Sequence, residues 1–484
     1  MKGKVILELI SLALLSSVKT NAQRPAISTN ESNYAYADSL MQTIYKANAP
    51  GAVLMIAKDG HPVFEKAYGL ANVELQVPNR IDYEFEIGSN TKQFTAVSIL
   101  QLVQQGKLGL RDDIRKYLPD YNSHGRHITI ENLLTHTSGI PDYFGKDYFN
   151  KNFKDDVPRD SIVEWFSRDP LLFEPGKDWS YSNSGYFLLG KIIEKVSGIP
   201  YEDYVQKNIL NPLHMNHTYF GTHNKIIHGL ATGYDPAGNG QYKDAAYLNW
   251  SWIYTAGELI SNTADLLKWD NALYKGKIVD PALLQKAWQN HELKNGAKSQ
   301  YGYGWFINNT NGVSIAWHGG IIPGFLSATF HLPDQHLYIA LLTNNGKIDP
   351  MAIGMIIALQ AAGHPAVRPE IIKTDPRSLS DYTGIYKLHA QFITLVANSN
   401  TAEIDNDITQ EGNTLFSQIS GGSKVALLPI AKDIFISSGT GINALSYTTY
   451  HFVRDAHGKV NAIKADEPFN MFMERTQVKI KSKK

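Results

Sequence analysis

The chain has 484 residues, more than a single hydrophobic core usually holds, so its length indicates two domains. Its 46 Lys and Arg residues balance its 46 Asp and Glu residues, so no basic excess would draw it to nucleic acid, which we do not expect as a partner. The lack of cysteine excludes disulfides, cysteine nucleophiles and thiolate zinc sites, and hydrolytic chemistry would have to use oxygen or nitrogen groups.

The N-terminus predicts a cleavable signal peptide over residues 1–22. Met1–Lys4 is positively charged, Val5–Val18 is apolar, and Ala22 supplies the small residue that is typical of a cleavage site. We therefore expect a secreted or periplasmic chain that begins near Gln23. Because no later segment has the roughly 18 consecutive apolar residues of a membrane span, no transmembrane span is expected in the mature chain.

The pattern over residues 30–363 predicts one α/β domain. Gly51–Ala57 and Pro62–Tyr68, joined by a turn at Asp59-Gly60, are typical of an antiparallel hairpin. Asn90–Gln105 is apolar on nearly every side, which predicts a buried helix ended by Gly106. Further helices are predicted over Tyr186–Val196, Asn262–Leu273 and Met351–Ala361, and strands over Tyr303–Ile307, Val313–Trp317, Phe325–Phe330 and Leu337–Thr343. Because strands lie at both ends, the terminal segments are expected to share one sheet.

A second, all-β domain is predicted over residues 378–476, after a proline-containing linker at residues 364–377. Short strand-like runs alternate there with turns such as Glu411-Gly412-Asn413 and His457-Gly458. The predicted strands are Tyr382–Tyr386, Phe392–Val396, Leu415–Ile419, Val425–Pro429, Ile434–Ser437, Tyr450–Arg454 and Val460–Lys464. Their spacing predicts a small β-barrel.

The tetrapeptide Ser89-Asn90-Thr91-Lys92 is the first candidate for chemistry. Residues three apart on a helix share a face, so the amine of Lys92 can reach the hydroxyl of Ser89. A serine in the first turn also lies beside backbone N–H groups that favour an oxyanion. On the tetrapeptide alone a helix N-cap is the favoured interpretation of Ser89, and Ser16–Lys19 in the leader has the same spacing.

Two further motifs favour a nucleophile. Tyr181-Ser182-Asn183 lies just ahead of a predicted helix, and a buried tyrosine near a lysine can share its proton and supply a general base. In His318-Gly319-Gly320-Ile321 the glycines permit close approach of the backbone, and the next N–H can complete an oxyanion hole. The histidine can form a hydrogen bond with a phenol or a substrate carboxylate.

In this order, the three motifs resemble the active-site motifs of the class C β-lactamase, DD-peptidase and esterase superfamily, over about residues 49–345. Leu133–Ile140, Ala256-Gly257 and Tyr301–Trp305 are also similar to that family. The resemblance implies a β-lactamase/transpeptidase-like α/β fold, in which an antiparallel sheet flanked by helices packs against a helical domain. The all-β C-terminal region resembles the lipocalin-like barrel of some relatives.

The resemblance also implies acyl-enzyme chemistry. Ser89 would attack a carbonyl, with its proton handled by Lys92 and Tyr181, and the N–H groups of Ser89 and Ile321 would hold the oxyanion. Asn183 would bind the substrate amide and His318 would support Tyr181. The residues assigned to catalysis are Ser89, Lys92 and Tyr181, and those assigned to substrate binding are Asn183, His318, Gly319, Gly320 and Ile321. His136 is interpreted as part of a structural turn.

The predicted function is that of an exported serine hydrolase acting on peptides with D-residues, β-lactam-like amides or small esters. A small molecule or a peptide, for example one derived from peptidoglycan, is the expected substrate, and neither a cofactor nor a metal ion is expected. Class C β-lactamases proper carry lysine where this chain has His318, which places efficient antibiotic hydrolysis in doubt. The alternative is a non-catalytic penicillin-binding sensor or binding protein that retains the acylation fold. The chain lacks the G-x-S-x-G of α/β-hydrolases and the H-E-x-x-H of zinc proteases.

Overall fold

The fold is that of a computed structural model, which describes residues 31–221, 225–389, 403–419, 422–438, 447–466 and 475–481. The predicted leader at residues 1–22 and the predicted strand Phe392–Val396 lie outside these ranges. Among the residues described, no helix is both long enough and apolar enough to cross a bilayer.

An antiparallel sheet of six strands forms the centre of the α/β domain. Its strands, in spatial order, are β10 (Phe306–Thr310), β11 (Val313–Ile322), β12 (Phe325–Leu332), β13 (Leu337–Thr343), β1 (Ala52–Lys58) and β2 (His61–Tyr68). Ala52 pairs with Thr343, which confirms that the two ends of the domain meet in one sheet. The β1–β2 hairpin closes at Asp59 and Gly60, both with positive φ.

Strand β1 separates two hydrophobic cores. Its alternate residues point to opposite faces, so Val53 and Met55 enter the core shared with the helical part, whereas Leu54 and Ile56 enter the core beneath the outer helices. Burial on both faces explains why the strand reads as a continuous apolar run.

The helices cover both faces of the sheet and build the helical part. They are α1 (Glu31–Ile44), α2 (Thr91–Gln104), α3 (Ile130–Leu134), α4 (Asp147–Asn152), α5 (Arg159–Ser167), α6 (Asn183–Ser197), α7 (Tyr201–Val205), α8 (Thr263–Tyr274), α9 (Pro281–Ala287) and α10 (Pro350–Ala361). Helix α2 is buried continuously from Thr91 to Leu102, as its all-round apolar pattern predicts, and Gly106 follows it with a φ of 68°.

Short strands connect these layers. Strand β3 (Leu70–Asn72) pairs with β4 (Val77–Pro78), β5 (Phe85–Glu86) and β6 (Tyr219–Phe220) flank β9 (Leu259–Ser261), and β7 (Tyr234–Gly238) pairs with β8 (Gln241–Asp244). Strand β5 leads directly into the turn Gly88–Asn90, which precedes α2. The small sheet of β5, β9 and β6 therefore fixes the segment that leads into helix α2.

A closed antiparallel barrel forms the C-terminal region. Its strands are β14 (Gly384–His389), β15 (Glu403–Glu411), β16 (Thr414–Ile419), β17 (Val425–Ala431), β18 (Ile434–Ser437), β19 (Thr449–Arg454), β20 (Val460–Asp466) and β21 (Arg475–Lys481). Strand β21 closes the barrel against β14 and extends past the predicted boundary at residue 476. The aromatic side chains of Tyr382, Tyr386, Phe435 and Phe452 pack together in its core.

Candidate active site

Ser89 and Lys92 lie where strand β5 passes into helix α2. Gly88 has a φ of 51°, which favours glycine. The resulting sharp turn leaves Ser89 half-buried just before the N-terminus of α2. The turn is tied to strand β12, because Asn90 donates a hydrogen bond to Ser327 Oγ (2.7 Å), which itself donates to the carbonyl of Ile87 (2.7 Å). The sheet thus fixes the position of Ser89.

The side-chain nitrogen of Lys92 is held by three groups in a fully buried position. It lies 3.0 Å from Ser89 Oγ, 2.8 Å from Asn183 Oδ1 and 2.8 Å from the carbonyl oxygen of Ala256. The two carbonyl oxygens can only accept, so they fix two N–H directions of the amine. The remaining direction faces the hydroxyl of Ser89.

Burial lowers the pKa of Lys92 to about 7, although the carboxylate of Asp142 opposes this shift. A substantial fraction of Lys92 is therefore a neutral amine near neutral pH. Its two N–H groups then donate to the carbonyl oxygens, and its lone pair can accept the proton of Ser89.

Tyr181 lies on the loop ahead of α6, and its hydroxyl forms a hydrogen bond with Ser89. Its ring stacks on Phe306, with centroids 6.4 Å apart, and the nitrogen of Lys92 lies 4.8 Å from the ring centroid. Burial raises the pKa of Tyr181 well above its ordinary value, so the phenol keeps its proton. Of the two predicted partners of the serine proton, Lys92 is therefore the one suited to be a base, and Tyr181 the one suited to donate or relay a proton.

His318, on strand β11, does not support Tyr181 through its ring nitrogens, contrary to the prediction. Its Nδ1 lies 2.6 Å from the carbonyl oxygen of Gly319, and its Nε2 lies 2.9 Å from the hydroxyl of Tyr301. Because a carbonyl can only accept, Nδ1 carries the proton and Nε2 accepts from Tyr301. Burial lowers the pKa of His318 to about 3, so the ring is neutral.

The glycines of the third motif let strand β11 run against the turn that carries Ser89. A Cβ on Gly320 would lie 1.9 Å from the carbonyl oxygen of Ile87, and one on Gly88 would lie 2.9 Å from the backbone nitrogen of Ile321. A Cβ on Gly319, on the opposite face of the strand, would meet Met351 at 2.2 Å. The motif thus brings the backbone beside Ser89 close to that of Ile321, where two N–H groups can face one oxyanion.

The side chain of Ile321 is 57% exposed and follows the alternation of the strand toward the Gly319 face. Its contribution to the site is therefore that of its backbone. The predicted role of Ile321, to stabilise the oxyanion through its backbone N–H, requires only this backbone position.

Asn183 begins helix α6, where Ser182 caps the helix by accepting from Gly185 N–H. Its Oδ1 accepts from Lys92, and its Nδ2 donates to Asp142 Oδ2 at 2.8 Å. One amide hydrogen remains for a substrate, which leaves the predicted substrate contact stereochemically open. The structure brings all eight predicted site residues to one place.

His136 occupies a structural turn behind the site. It has a φ of 57°, is buried, and accepts a hydrogen bond at Nδ1 from the backbone N–H of Ser182 (3.1 Å). Its ring packs against Tyr181, with centroids 4.3 Å apart, and burial lowers its pKa well below the ordinary value. His136 thus lies in a turn, as predicted, and its contacts position the loop that carries Tyr181.

Three residues of the site were not assigned a role from sequence. Asp142 contacts Asn183, Tyr301 contacts His318, and Ala256 supplies a carbonyl to Lys92. Ala256 and Tyr301 lie in stretches that resemble the family. Asp142 lies two residues beyond another such stretch, Leu133–Ile140. The resemblance of these stretches to the family could have indicated that the three residues matter. Their hydrogen-bond partners, however, are known only from the folded structure.

The model of the family described as Beta-lactamase matches residues 35–362. This range contains the complete site and all six strands of the central sheet. Among curated proteins, the penicillin-binding protein 4* of Bacillus subtilis (strain 168) is 28% identical over 417 residues, which cover 82% of this chain and 90% of that protein. Protein flp of Staphylococcus aureus (strain N315) is 33% identical over 325 residues, and the match covers 65% of this chain and only 64% of that protein.

Two solved structures extend the likeness. The octameric penicillin-binding protein homologue from Pyrococcus abyssi has a TM-score of 0.62 at 25% identity, with 92% of this chain and 99% of that chain covered. D-amino acid amidase from Ochrobactrum anthropi SV3, complexed with L-phenylalanine amide, has a TM-score of 0.59 at 26% identity, with 69% and 98% covered. The first likeness includes most of the barrel, and the second is of a length that fits the α/β domain.

Proposed function

The chain belongs to the Beta-lactamase family, and we propose that it is a serine hydrolase that works through an acyl-enzyme on Ser89. The observation that carries the proposal is the 3.0 Å contact between Ser89 Oγ and Lys92 Nζ. Burial and two carbonyl acceptors hold this amine with its third direction toward the hydroxyl. A serine so placed has the base that it lacks in water.

The proposed acylation step begins with the transfer of the Ser89 proton to neutral Lys92 as Oγ bonds to the substrate carbonyl carbon. The carbonyl oxygen becomes an oxyanion, which the backbone N–H groups of Ser89 and Ile321 stabilise. When the intermediate collapses, the bond to the leaving group breaks, and the leaving nitrogen or oxygen takes a proton from the Tyr181 hydroxyl. Tyr181 regains a proton from Lys92, which becomes neutral again.

Hydrolysis of the acyl-enzyme reverses these roles. Water gives a proton to Lys92 and adds its oxygen to the ester carbon, and the oxyanion forms in the same hole. Collapse then breaks the bond to Ser89 Oγ, which takes its proton back from Lys92. Each turnover consumes one water and leaves the side chains as they began.

Amides or esters of D-amino acids are the substrate class that we propose. Its support is the likeness to penicillin-binding proteins and to a D-amino acid amidase. A dedicated β-lactamase is less well supported, because His318 is buried and neutral and offers no cation to the carboxylate of an antibiotic. Asn183, with one amide hydrogen left, would orient the substrate amide.

Export also belongs to the proposal. Its support is the pattern at residues 1–22, with a basic start, an apolar stretch and Ala22 before the expected cleavage site. N-terminal sequencing of the protein recovered from outside the cytoplasm checks it, with a start near Gln23 expected.

A side-by-side assay of four compounds tests the substrate class: nitrocefin, a D-Ala-D-Ala peptide, a D-amino-acid amide and a short p-nitrophenyl ester. The L-amino-acid amide serves as the stereochemical control. We expect the D-amide or D-peptide to give the highest kcat/KM and the L-amide much less. A lasting adduct with penicillin and no product from any compound would instead support the non-catalytic sensor.

A further inference from the structure

Asp142 has a buried carboxyl group that is hydrogen-bonded to the side-chain amide of Asn183, and this amide in turn contacts the amine of Lys92. The residue is 6% exposed, and its Oδ2 accepts from Asn183 Nδ2 at 2.8 Å. The other end of the same amide, Asn183 Oδ1, accepts from Lys92 Nζ at 2.8 Å. The carboxylate, the amide and the amine are therefore linked by two consecutive hydrogen bonds.

The carboxylate decides which way the amide of Asn183 points. Asp142 can only accept when ionised, so it requires the NH₂ end of Asn183 to face it. The oxygen end must then face Lys92. Without an acceptor at position 142, a rotation of the amide by 180° would turn two N–H groups toward an amine that also donates, and Lys92 would lose one of its two carbonyl acceptors.

Asp142 also places negative charge near Lys92. Its carboxylate raises the pKa of Lys92 against the effect of burial, and Lys92 in turn lowers that of Asp142, which burial raises to about 6. The other titratable groups around the amine are His136 and His318, which burial keeps neutral, and the rings of Tyr181 and Tyr186, which stay protonated.

We propose that Asp142 is a positioning residue for the serine hydrolase reaction: through Asn183 it orients the Lys92 amine toward Ser89. This inference rests on the proposed function. It assigns Asp142 no contact with the substrate or with the reacting atoms. The competing, purely structural role is that of a loop cap, since Asp142 Oδ1 also accepts from the backbone N–H of Phe144 at 3.1 Å.

Asp142→Asn separates the two roles, because the new amide oxygen can still accept from Phe144. Its NH₂ end, however, would face the NH₂ end of Asn183 and drive the amide to turn. We expect the rate of Ser89 acylation by a p-nitrophenyl ester to fall by about tenfold. The acidic limb of the pH–rate profile should move to lower pH by about one unit, because Lys92 loses both an acceptor and a nearby anion.

The exchange variant Asp142→Asn with Asn183→Asp restores the two hydrogen bonds in reverse order. The amide introduced at position 142 would donate to the carboxylate introduced at position 183, which would accept directly from Lys92. We expect the acidic limb to move above its wild-type position, because the anion is now adjacent to the amine. Opposite displacements of the limb in the two variants are the signature of the proposal.

A limb that stays at the wild-type pH in both variants overturns the inference, whatever happens to stability. If the single variant fails to fold, the exchange variant decides alone, and an unmoved limb there is equally contradictory. Thermal unfolding of each full-length variant identifies such a failure.

A readout without turnover keeps this inference separate from the proposed function. The side-chain ¹⁵N resonance of Lys92 in lysine-labelled protein, identified by its absence in Lys92→Arg, reports the titration directly. Displaced titrations without any acylation of the wild type would sink the proposed function and leave the positioning intact. Acylation of the wild type with unmoved titrations would do the reverse.

Discussion

The side-chain nitrogen of Lys92 lies 2.8 Å from the carbonyl oxygen of Ala256 in the buried floor of the site. Ala256 ends the short helical turn Tyr254–Ala256, in which Tyr254 has a φ of 42°, and the hydroxyl of Thr95 donates to the neighbouring carbonyl of Thr255 at 2.7 Å. With Asn183 on its other side, the amine cannot turn away from Ser89. The lone pair of neutral Lys92 is therefore directed before any substrate arrives.

The pH dependence of activity should follow Lys92. Because its pKa is about 7 and its neutral form is the base, kcat/KM should rise with pH along an acidic limb centred near 7. His318, with a pKa of about 3, should add no limb between about pH 5 and 9. Initial rates with a p-nitrophenyl ester over that range measure this, and a flat profile would contradict Lys92 as the base.

Lys92→Arg should lower kcat/KM by about 10²–10⁴-fold, because a guanidinium keeps its proton and cannot act as a base. Lys116→Arg, at an exposed surface ion pair with Asp112, is the matched control and should leave activity unchanged. Ester hydrolysis by the two variants, with circular dichroism to verify folding, decides the matter. Equal activities would exclude Lys92 from proton transfer.

Tyr301→Phe should act on stability, because it leaves Nε2 of buried His318 without its partner. We expect the free energy of unfolding to fall by about 1–3 kcal/mol. All eight tryptophans lie in the α/β domain, at residues 165–317, so tryptophan fluorescence during urea unfolding reports that domain. Tyr274→Phe, whose hydroxyl bond to the carbonyl of Pro333 is exposed, is the control and should change stability by less than about 0.5 kcal/mol.

Tyr181→Phe completes that comparison, because its hydroxyl faces Ser89 and not His318. Acylation should slow by about 10²-fold or more. If Tyr301→Phe lost activity and not stability, the assignment of the His318 hydrogen bond would be wrong.

Gly320→Ala should abolish activity, since the new Cβ would need to lie 1.9 Å from the carbonyl oxygen of Ile87 and would push strand β11 away from Ser89. Gly185→Ala, in the first turn of α6, meets nothing closer than 3.6 Å and is the matched control. It should keep its activity and gain up to about 1 kcal/mol of stability. Ester hydrolysis and urea unfolding of both variants measure the difference, and an active Gly320→Ala variant would contradict the close approach.

The sequence predicts those parts of the fold whose apolar pattern is continuous. Strand β1 and helix α2 are buried on all sides, so their patterns need no knowledge of their neighbours. Strand β11 was predicted to end at Trp317, but it continues to Ile322 because the glycines pair within the sheet. Barrel strands β15 and β21 were not predicted, since Glu403–Glu411 and Arg475–Lys481 are rich in polar and charged residues.

The site residues likewise divide into those that the sequence predicts and those that only the folded structure identifies. Ser89, Lys92, Tyr181 and Asn183 stand in short motifs whose spacing has a chemical reason, and the fold brings them into contact. The partner of a buried group depends instead on a register between distant segments. For this reason His318 was predicted to support Tyr181, whereas its Nε2 accepts a hydrogen bond from Tyr301, 17 residues away in sequence.

Acylation of Ser89 is the step on which the proposed function depends, and intact-protein mass spectrometry detects it without an assumption about the product. Wild-type protein and the Ser89→Ala variant would each be incubated with a fluorescent penicillin and with a p-nitrophenyl ester, quenched in acid at short times and weighed. We predict a transient mass increase equal to the acyl group in the wild type, mapped to the peptide that contains Ser89. An unmodified wild type that still hydrolyses the ester, or a Ser89→Ala variant that acquires the same mass, would contradict Ser89 as the nucleophile.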